Sequence, residues 1–119
     1  MNQFHDTQPI FLQIRQRIIE MILNKTVEEG GVLPSVRQIS ADLSVNPLTV
    51  TKAFDGLVDS GVVESRRGMG MYVSAGAREK LLAHERRKFL AGDWPRIVAR
   101  IRALELDPAM LLKESTANE

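Results

Sequence analysis

The sequence predicts an α+β fold, a winged helix-turn-helix of three helices and a β-hairpin wing, followed by a short all-α dimerisation tail. Apolar residues recur at helical spacing in three segments before residue 60. Two β-prone runs around a glycine-bearing tip come next, as in a hairpin. Three helices and then a hairpin is the order of a winged helix. Further apolar residues at helical spacing fill the part after residue 76.

The first predicted helix opens at Pro9 and runs to about Asn24. Proline suits a first helical turn because the N–H that it lacks would be unpaired there. One helix face collects the apolar residues Ile10, Ile14, Ile18, Met21 and Ile22. Gly30 and Gly31 then predict a turn.

Helix caps predict the second and third helices. Ser35, with Gln38 three residues later, has the spacing of a capping box, which starts a short helix over residues 36–43. Asn46 as N-cap and Pro47 at the first helical position start a helix over residues 47–59. The apolar stripe of this third helix consists of Val50, Ala53, Phe54, Leu57 and Val58.

The predicted hairpin pairs residues 62–65 with residues 71–73. We place the end of the winged helix-turn-helix domain after it, at residue 76, and assign residues 77–119 to the tail. In the tail Asp93 is the predicted N-cap of a helix, and a last short turn runs from Pro108 through Leu112. An earlier tail helix, with Leu81, Leu82, Phe89 and Leu90, is only partly amphipathic. These two tail helices cannot bury their apolar faces on each other alone, so the apolar stripe must pack against either the winged domain or a second subunit. We predict a second subunit, which makes the protein a homodimer. The predicted dimerisation residues are Leu81, Leu82, Phe89, Trp94, Ile97, Val98, Ile101 and Leu104.

Composition excludes several classes of function. The 119 residues contain no cysteine, which excludes disulfides and thiolate metal sites, and His5 and His84 lie far apart. We find no nucleophile–base pair, paired catalytic carboxylates or phosphate-cradling glycine loop, so we expect neither an enzyme nor a cofactor. No apolar run approaches the ~20 residues that cross a bilayer, and the polar N-terminus does not resemble a signal peptide. The expected location is therefore cytoplasmic.

Net charge does not by itself indicate a nucleic-acid partner. The chain carries +1 overall; residues 1–76 hold seven Lys or Arg against eight Asp or Glu, which gives −1, and residues 77–119 hold nine against seven, which gives +2. Many nucleic-acid binders are more basic. Only the placement of individual cations can therefore support DNA binding.

In a helix-turn-helix, the second helix of the motif presents its N-terminal residues to base edges, while the preceding helix meets the DNA backbone. Ser35 and Arg37 at the start of the second helix suit a phosphate, although Ser35 alone is equally well explained as a cap. The third helix lacks arginine and so cannot read guanine with a bidentate guanidinium. Its candidate contacts are Asn46, Leu48, Thr49, Thr51 and Lys52.

The tip of the hairpin supplies the last candidate contacts. Two guanidiniums stand beside glycines that let the backbone approach a DNA groove closely. We expect minor-groove or phosphate contact from Arg66, Arg67, Gly68, Met69 and Gly70.

Four motifs in order resemble the GntR family of bacterial regulators. The family pattern is close to Pro-Ile-Tyr-x-Gln-Ile, Leu-Pro-Ser-x-Arg, Val-x-x-x-Thr-Val and Gly-x-Gly-x-x-Val. The matching segments are Pro9-Ile10-Phe11-Leu12-Gln13-Ile14, Leu33-Pro34-Ser35-Val36-Arg37, Val45-Asn46-Pro47-Leu48-Thr49-Val50 and Gly68-Met69-Gly70-Met71-Tyr72-Val73. Val36, the Asn46-Pro47 pair and the short tail are similar to the YtrA subfamily. That resemblance implies dimerisation through C-terminal helices and, often, repression of a transporter operon, including ABC transporters.

The chain also departs from the family. Many relatives carry arginine where Pro47 and Thr51 stand, and a basic residue and a threonine where Met69 and Met71 stand. The resemblance therefore carries no base contact over to these four positions, whereas Arg37, Thr49 and Gly68 match the pattern.

The sequence is compatible with three interpretations. The first is a dimeric regulator that binds double-stranded DNA at a palindromic operator, its small-molecule effector and target genes being unknown. The second is a winged-helix module for protein or RNA, which the near-neutral charge favours but which would not need Arg37 and the Arg66-Arg67 pair together. The third, the headpiece of a larger aminotransferase-like regulator, is disfavoured by the apolar stripe from Trp94 to Leu104.

Overall fold

The computed structural model describes residues 4, 5 and 7–117, without the side chains of the last two. The chain forms two compact units, Met1–Leu82 and Ala83–Glu119. The boundary predicted from the sequence lies after residue 76. The first unit extends further because Ala77 and Leu81, only 0% and 5% exposed, belong to its hydrophobic core.

The first unit contains the three predicted helices. Helix α1 spans Ile10–Leu23, α2 spans Val36–Leu43 and α3 spans Pro47–Asp59. The Ser35–Gln38 capping box starts α2, and the Asn46 side chain caps α3 with Pro47 in its first turn. These caps satisfy backbone N–H groups that have no partner inside the helix, which is why the predicted bounds of α2 and α3 agree with the structure.

The hairpin consists of β1, Val63–Arg66, and β2, Gly70–Val73. The strands are antiparallel, with Val63 opposite Val73 and Arg66 opposite Gly70. The chain before α2 runs along the other edge of β2: the Leu33 N–H donates to the Met71 carbonyl at 2.8 Å, and the Val73 N–H donates to the Gly31 carbonyl at 2.9 Å. These bonds tie the segment that leads into α2 to the wing.

The core of the first unit lies between the helices and the hairpin. Its largest fully buried side chains are Phe54, Ile14, Ile18, Ile22, Val50 and Val73. Five of them belong to the apolar stripes predicted for α1 and α3, and Val73 comes from β2. The first unit is thus the predicted winged helix-turn-helix.

The tail is helical. Helix α4 spans Ala77–Lys88, a π-helical segment covers Phe89–Asp93, α5 spans Trp94–Ala103 and α6 spans Pro108–Ala117. The prediction that Asp93 caps a helix is wrong, because its own backbone is helical and its side chain makes no cap hydrogen bond. The last helix also runs beyond Leu112. None of the helices in the described ranges is both long and apolar enough to span a bilayer.

Candidate nucleic-acid interface

The N-terminus of α2 presents Ser35 and Arg37 to solvent. The Gln38 N–H donates to the Ser35 Oγ at 3.0 Å, and the Ser35 N–H donates to the Gln38 Oε1 at 2.9 Å. In this arrangement the Ser35 hydroxyl acts as an acceptor, so its own hydrogen can still be donated to an anion. Capping and a phosphate contact are therefore compatible at Ser35.

Arg37 lies one residue into α2, near the positive end of the helix dipole. Its side chain is exposed and makes no ion pair within the described part of the chain. A cation gains nothing from the helix dipole at this end. The position suits a guanidinium that binds an external anion together with the free N–H groups of the first turn.

The N-terminal half of α3 separates a buried face from an exposed one. Val50, Ala53 and Phe54 are 0% exposed, whereas Leu48 is 75% exposed. Thr49 and Thr51 are half-buried and lie between the buried and the exposed face of α3. So large an exposed apolar side chain at the start of a helix suits contact with an apolar base edge such as the thymine methyl.

Asn46 uses its side-chain oxygen as the cap of α3, accepting from the Leu48 N–H at 2.9 Å. The amide NH₂ is not used by this bond and keeps two donors for a base or a phosphate. The cap therefore uses one lone pair of the Asn46 oxygen and leaves both amide donors for a hydrogen-bond acceptor.

Lys52 is exposed, but its ammonium does not extend freely into solvent. The Lys52 Nζ lies 4.1 Å from the centroid of the Phe11 ring on α1. Arg15, also on α1, donates from Nε to the Ala53 carbonyl and from Nη2 to the Lys52 carbonyl, both at 3.1 Å. A side chain at Gly56 would collide with the Arg15 guanidinium. Helix α1 therefore holds the backbone of α3 at Lys52 and Ala53.

Sequence reasoning missed the contribution of Phe11, Arg15 and Gly56. One signal was available, since a glycine inside a helix costs about 1 kcal/mol relative to alanine and often marks a close approach of another group. Gly56 stands inside α3, three residues before its last residue, Asp59. The spacing of Phe11 and Arg15, one helical turn apart, places them on the same side of α1.

The tip of the wing turns through glycines. Gly68 and Gly70 have φ angles of +75° and +114°, which residues other than glycine rarely adopt. The Met69 N–H donates to the Arg66 carbonyl at 2.9 Å. Met69 is 64% exposed at the tip. The glycines therefore form the tight turn and leave both their backbone and Met69 open to a ligand.

The two wing arginines differ in their surroundings. Arg66 lies 3.6 Å from the Glu64 carboxylate, and its Cζ stands 4.0 Å from the centroid of the Tyr72 ring. Arg67 is exposed and has no ion pair within the described residues. The charge of Arg66 is partly neutralised inside the wing, whereas that of Arg67 is available to a ligand.

The tail residues assigned to dimerisation fall into three groups. Leu81 lies in the core of the first unit, which sets it apart from the rest of the set. Leu82, Val98 and Ile101 are half-buried. The exposed members are Phe89, Trp94, Ile97 and Leu104, at 43%, 40%, 41% and 50%. The rings of Phe89 and Trp94 are 6.3 Å apart, within the range of an aromatic pair.

The sequence pattern described as "Bacterial regulatory proteins, gntR family" matches residues 11–73. The chain is 39% identical over 74 residues to the HTH-type transcriptional repressor YtrA of Bacillus subtilis, a match covering 62% of this chain and 57% of the relative. It is 37% identical over 73 residues to YhcF of the same organism, an uncharacterized HTH-type transcriptional regulator, covering 61% and 60%. The matched segment thus spans less than two thirds of either curated relative.

Solved structures extend the similarity to the tail. A GntR family transcriptional regulator from Listeria monocytogenes matches with a TM-score of 0.74 and 25% identity, covering 98% of this chain and 100% of that one. The DNA-binding domain of AraR, solved in complex with an operator, matches the fold with a TM-score of 0.57 and 22% identity over 60% of this chain and 86% of its own. The family is one of regulators, not enzymes. Because its pattern covers more than half of the sequence, the chain belongs to the gntR family of bacterial regulatory proteins.

Proposed function

We propose that this chain is a sequence-specific, double-stranded-DNA-binding transcription regulator that acts as a homodimer. The exposed start of α3 carries the proposal. Leu48, 75% exposed, stands there beside polar side chains, while the opposite face of the helix is fully buried. A recognition helix needs such an arrangement, with a face that packs the core and an N-terminal end that reaches base edges.

Contacts to the DNA backbone and to the bases come from different residues. Ser35, Arg37, Lys52 and Arg67 suit phosphates, because each offers a donor or a charge without requiring a base partner. Base reading falls to the start of α3, through Asn46, Leu48, Thr49 and Thr51. Specificity also comes from DNA shape, because α3 lacks arginine.

The wing completes the proposed interface. Gly68, Met69 and Gly70 form an exposed tip whose backbone can enter a groove. Arg66 contributes less charge than Arg67, because Glu64 is its ion-pair partner. In this proposal Arg67 is the principal phosphate contact of the wing.

A second copy of the chain is the proposed partner of the tail. The second unit leaves Phe89, Trp94, Ile97 and Leu104 exposed by 40–50%, and isolated helices of this length are marginal in water without an apolar face to pack. A two-fold dimer would bury these side chains against their symmetry mates. Its two winged domains would then read a palindromic operator.

The regulatory effect is proposed from the relatives. YtrA of Bacillus subtilis is named a transcriptional repressor, and we propose repression of a nearby operon, with a transporter operon as the first candidate. Because the ligand is chromosomal DNA, the proposed place of action is the cytoplasm.

The test is selection of bound sequences from a pool of random duplexes, followed by footprinting on the best sequence. We expect a palindrome whose half-sites are about one helical turn apart. A single asymmetric half-site of a few base pairs would contradict the dimer geometry. A competitor RNA of equal length separates the alternative, since RNA that displaces the duplex at equal concentration would favour an RNA-binding module.

A further inference from the structure

The ring of Phe11 holds two cations beside α3. The Lys52 Nζ lies 4.1 Å from the ring centroid and the Arg15 Cζ lies 5.3 Å from it. Both distances fall within the ~6 Å over which a cation is attracted to an aromatic face. Lys52 belongs to the proposed recognition helix, whereas Phe11 and Arg15 belong to α1.

The backbone under Lys52 is held as well as its ammonium. Arg15 donates to the carbonyls of Lys52 and Ala53, through the gap that Gly56 leaves on the surface of α3. A carbonyl oxygen has two lone pairs, so it can accept from Arg15 and also from its own helix. Both the backbone carbonyl and the ammonium of Lys52 therefore contact residues of α1.

The cluster of Phe11, Arg15 and Lys52 brings two positive charges to one ring. Neither Arg15 nor Lys52 forms an ion pair within the part of the chain that the structure describes. The negative face of the ring offsets their mutual repulsion only in part. Two like charges near one ring create a local positive potential, which an external anion would neutralise.

We infer that Phe11 and Arg15 are positioning residues for DNA binding, which hold the Lys52 ammonium where it meets a backbone phosphate. The inference rests on the proposed function and deepens it. A free lysine loses rotamer entropy when it is fixed. A lysine already ordered on a ring loses less on binding, because that loss has occurred before the DNA arrives.

A double-mutant cycle tests this on the full-length chain. The variants are Phe11→Leu, which removes the aromatic face but keeps an apolar side chain, Lys52→Met and the pair. Binding is measured by fluorescence anisotropy with a labelled operator duplex at several salt concentrations. We expect Phe11→Leu to weaken binding about two- to fivefold when Lys52 is present. In the Lys52→Met background it should have no further effect.

The salt dependence of binding and the conservative variant Phe11→Tyr distinguish a positioning role of Phe11 from a merely structural one. Lys52→Met should lower the salt slope by about 0.9 for each phosphate that the ammonium no longer neutralises, whereas the matched control Lys88→Met, in the tail, should not. Phe11→Tyr keeps the ring and should bind as the parent does. If Phe11→Leu weakens binding equally in both backgrounds, or not at all, the inference is overturned.

A second measurement does not depend on the Leu variant folding. In the unmodified protein, the ε-methylene protons of Lys52 should show an upfield ring-current shift relative to those of Lys88 in a ¹H–¹³C spectrum. Ordinary lysine shifts at Lys52 would overturn the inference. If the parent chain binds no duplex, the proposed function fails as well, whereas DNA binding with an additive cycle overturns only the role of Phe11.

Discussion

The hydrogen bonds from Arg15 on α1 to the Lys52 and Ala53 carbonyls of α3, here called the brace, predict that Gly56→Ala lowers the stability of the protein instead of raising it. Gly56→Ala in an unobstructed helix should stabilise the protein by about 0.8–1.0 kcal/mol. Here the new Cβ would occupy the space of the Arg15 guanidinium. Arg15 must then swing away, breaking its bonds to the Lys52 and Ala53 carbonyls and leaving the ring of Phe11.

The magnitude follows from these interactions. The carbonyls keep their helical hydrogen bonds and the guanidinium regains water, so the two bonds are set in the lower half of the usual range, at about 1.5 kcal/mol together. The interaction with the ring adds about 0.5 kcal/mol. The loss of about 2 kcal/mol exceeds the gain in helix propensity, so Gly56→Ala should destabilise the chain by about 1 kcal/mol.

Urea unfolding followed by far-UV circular dichroism measures this, at one protein concentration because association changes apparent stability. In an Arg15→Ala background, Gly56→Ala should instead stabilise by about 1 kcal/mol, which gives a coupling energy of about 2 kcal/mol. Gly92→Ala is the matched control, since a methyl there meets no atom within 4 Å. Equal stabilisation by Gly56→Ala in both backgrounds would refute the brace.

Four further predictions concern the interface and the tail. Glu64→Gln should tighten binding to operator and random duplexes alike, because it releases Arg66 from its ion pair. Arg67→Ala should lower the salt slope by about 0.9 in each half-site for every phosphate that the guanidinium no longer neutralises. Anisotropy titrations in a salt series measure both effects, and an unchanged slope for Arg67→Ala argues against its phosphate contact. Thr49→Ala should cost roughly 1–3 kcal/mol on the operator and little on random DNA, so equal weakening of the two would contradict base reading. Ile97→Lys, which places a charge on the exposed apolar face of α5, should give a monomer in sedimentation at micromolar concentration, and a persistent dimer would show that this face is not the interface.

The first compact unit ends at Leu82, beyond the hairpin, so a truncation directly after the hairpin does not test the dimerisation of the tail alone. A truncation after the hairpin would remove Ala77 and Leu81 from the core of the first unit. Loss of a fully buried leucine typically costs several kcal/mol, so such a fragment would lose stability together with any dimer interface. A point substitution on the exposed face of α5 avoids this confusion.

The sequence by itself determined the elements of the winged domain, because their signals are local. The Ser35–Gln38 capping box and the Asn46-Pro47 start each lie within three or four residues, and the structure contains both caps. Helical periodicity identified most of the buried faces of α1 and α3 in the same way, although Ile10 is 43% exposed and Ile19, outside the predicted face, is buried. The prediction that a helix starts at Asp93 failed because the backbone continues through this residue as a π-helical turn. The preference of aspartate for helix N-caps does not predict such a turn.

Only the tertiary structure decided which candidate cations have partners. Arg15 reaches the Ala53 carbonyl across 38 positions of sequence, and Arg66 meets Glu64 and Tyr72 because the register of the hairpin places all three on one face. The burial of Leu81 likewise depends on the core that the preceding helices and strands build. Such contacts depend on how elements pack rather than on residue order, and a periodic pattern shows that a face is buried without showing what covers it.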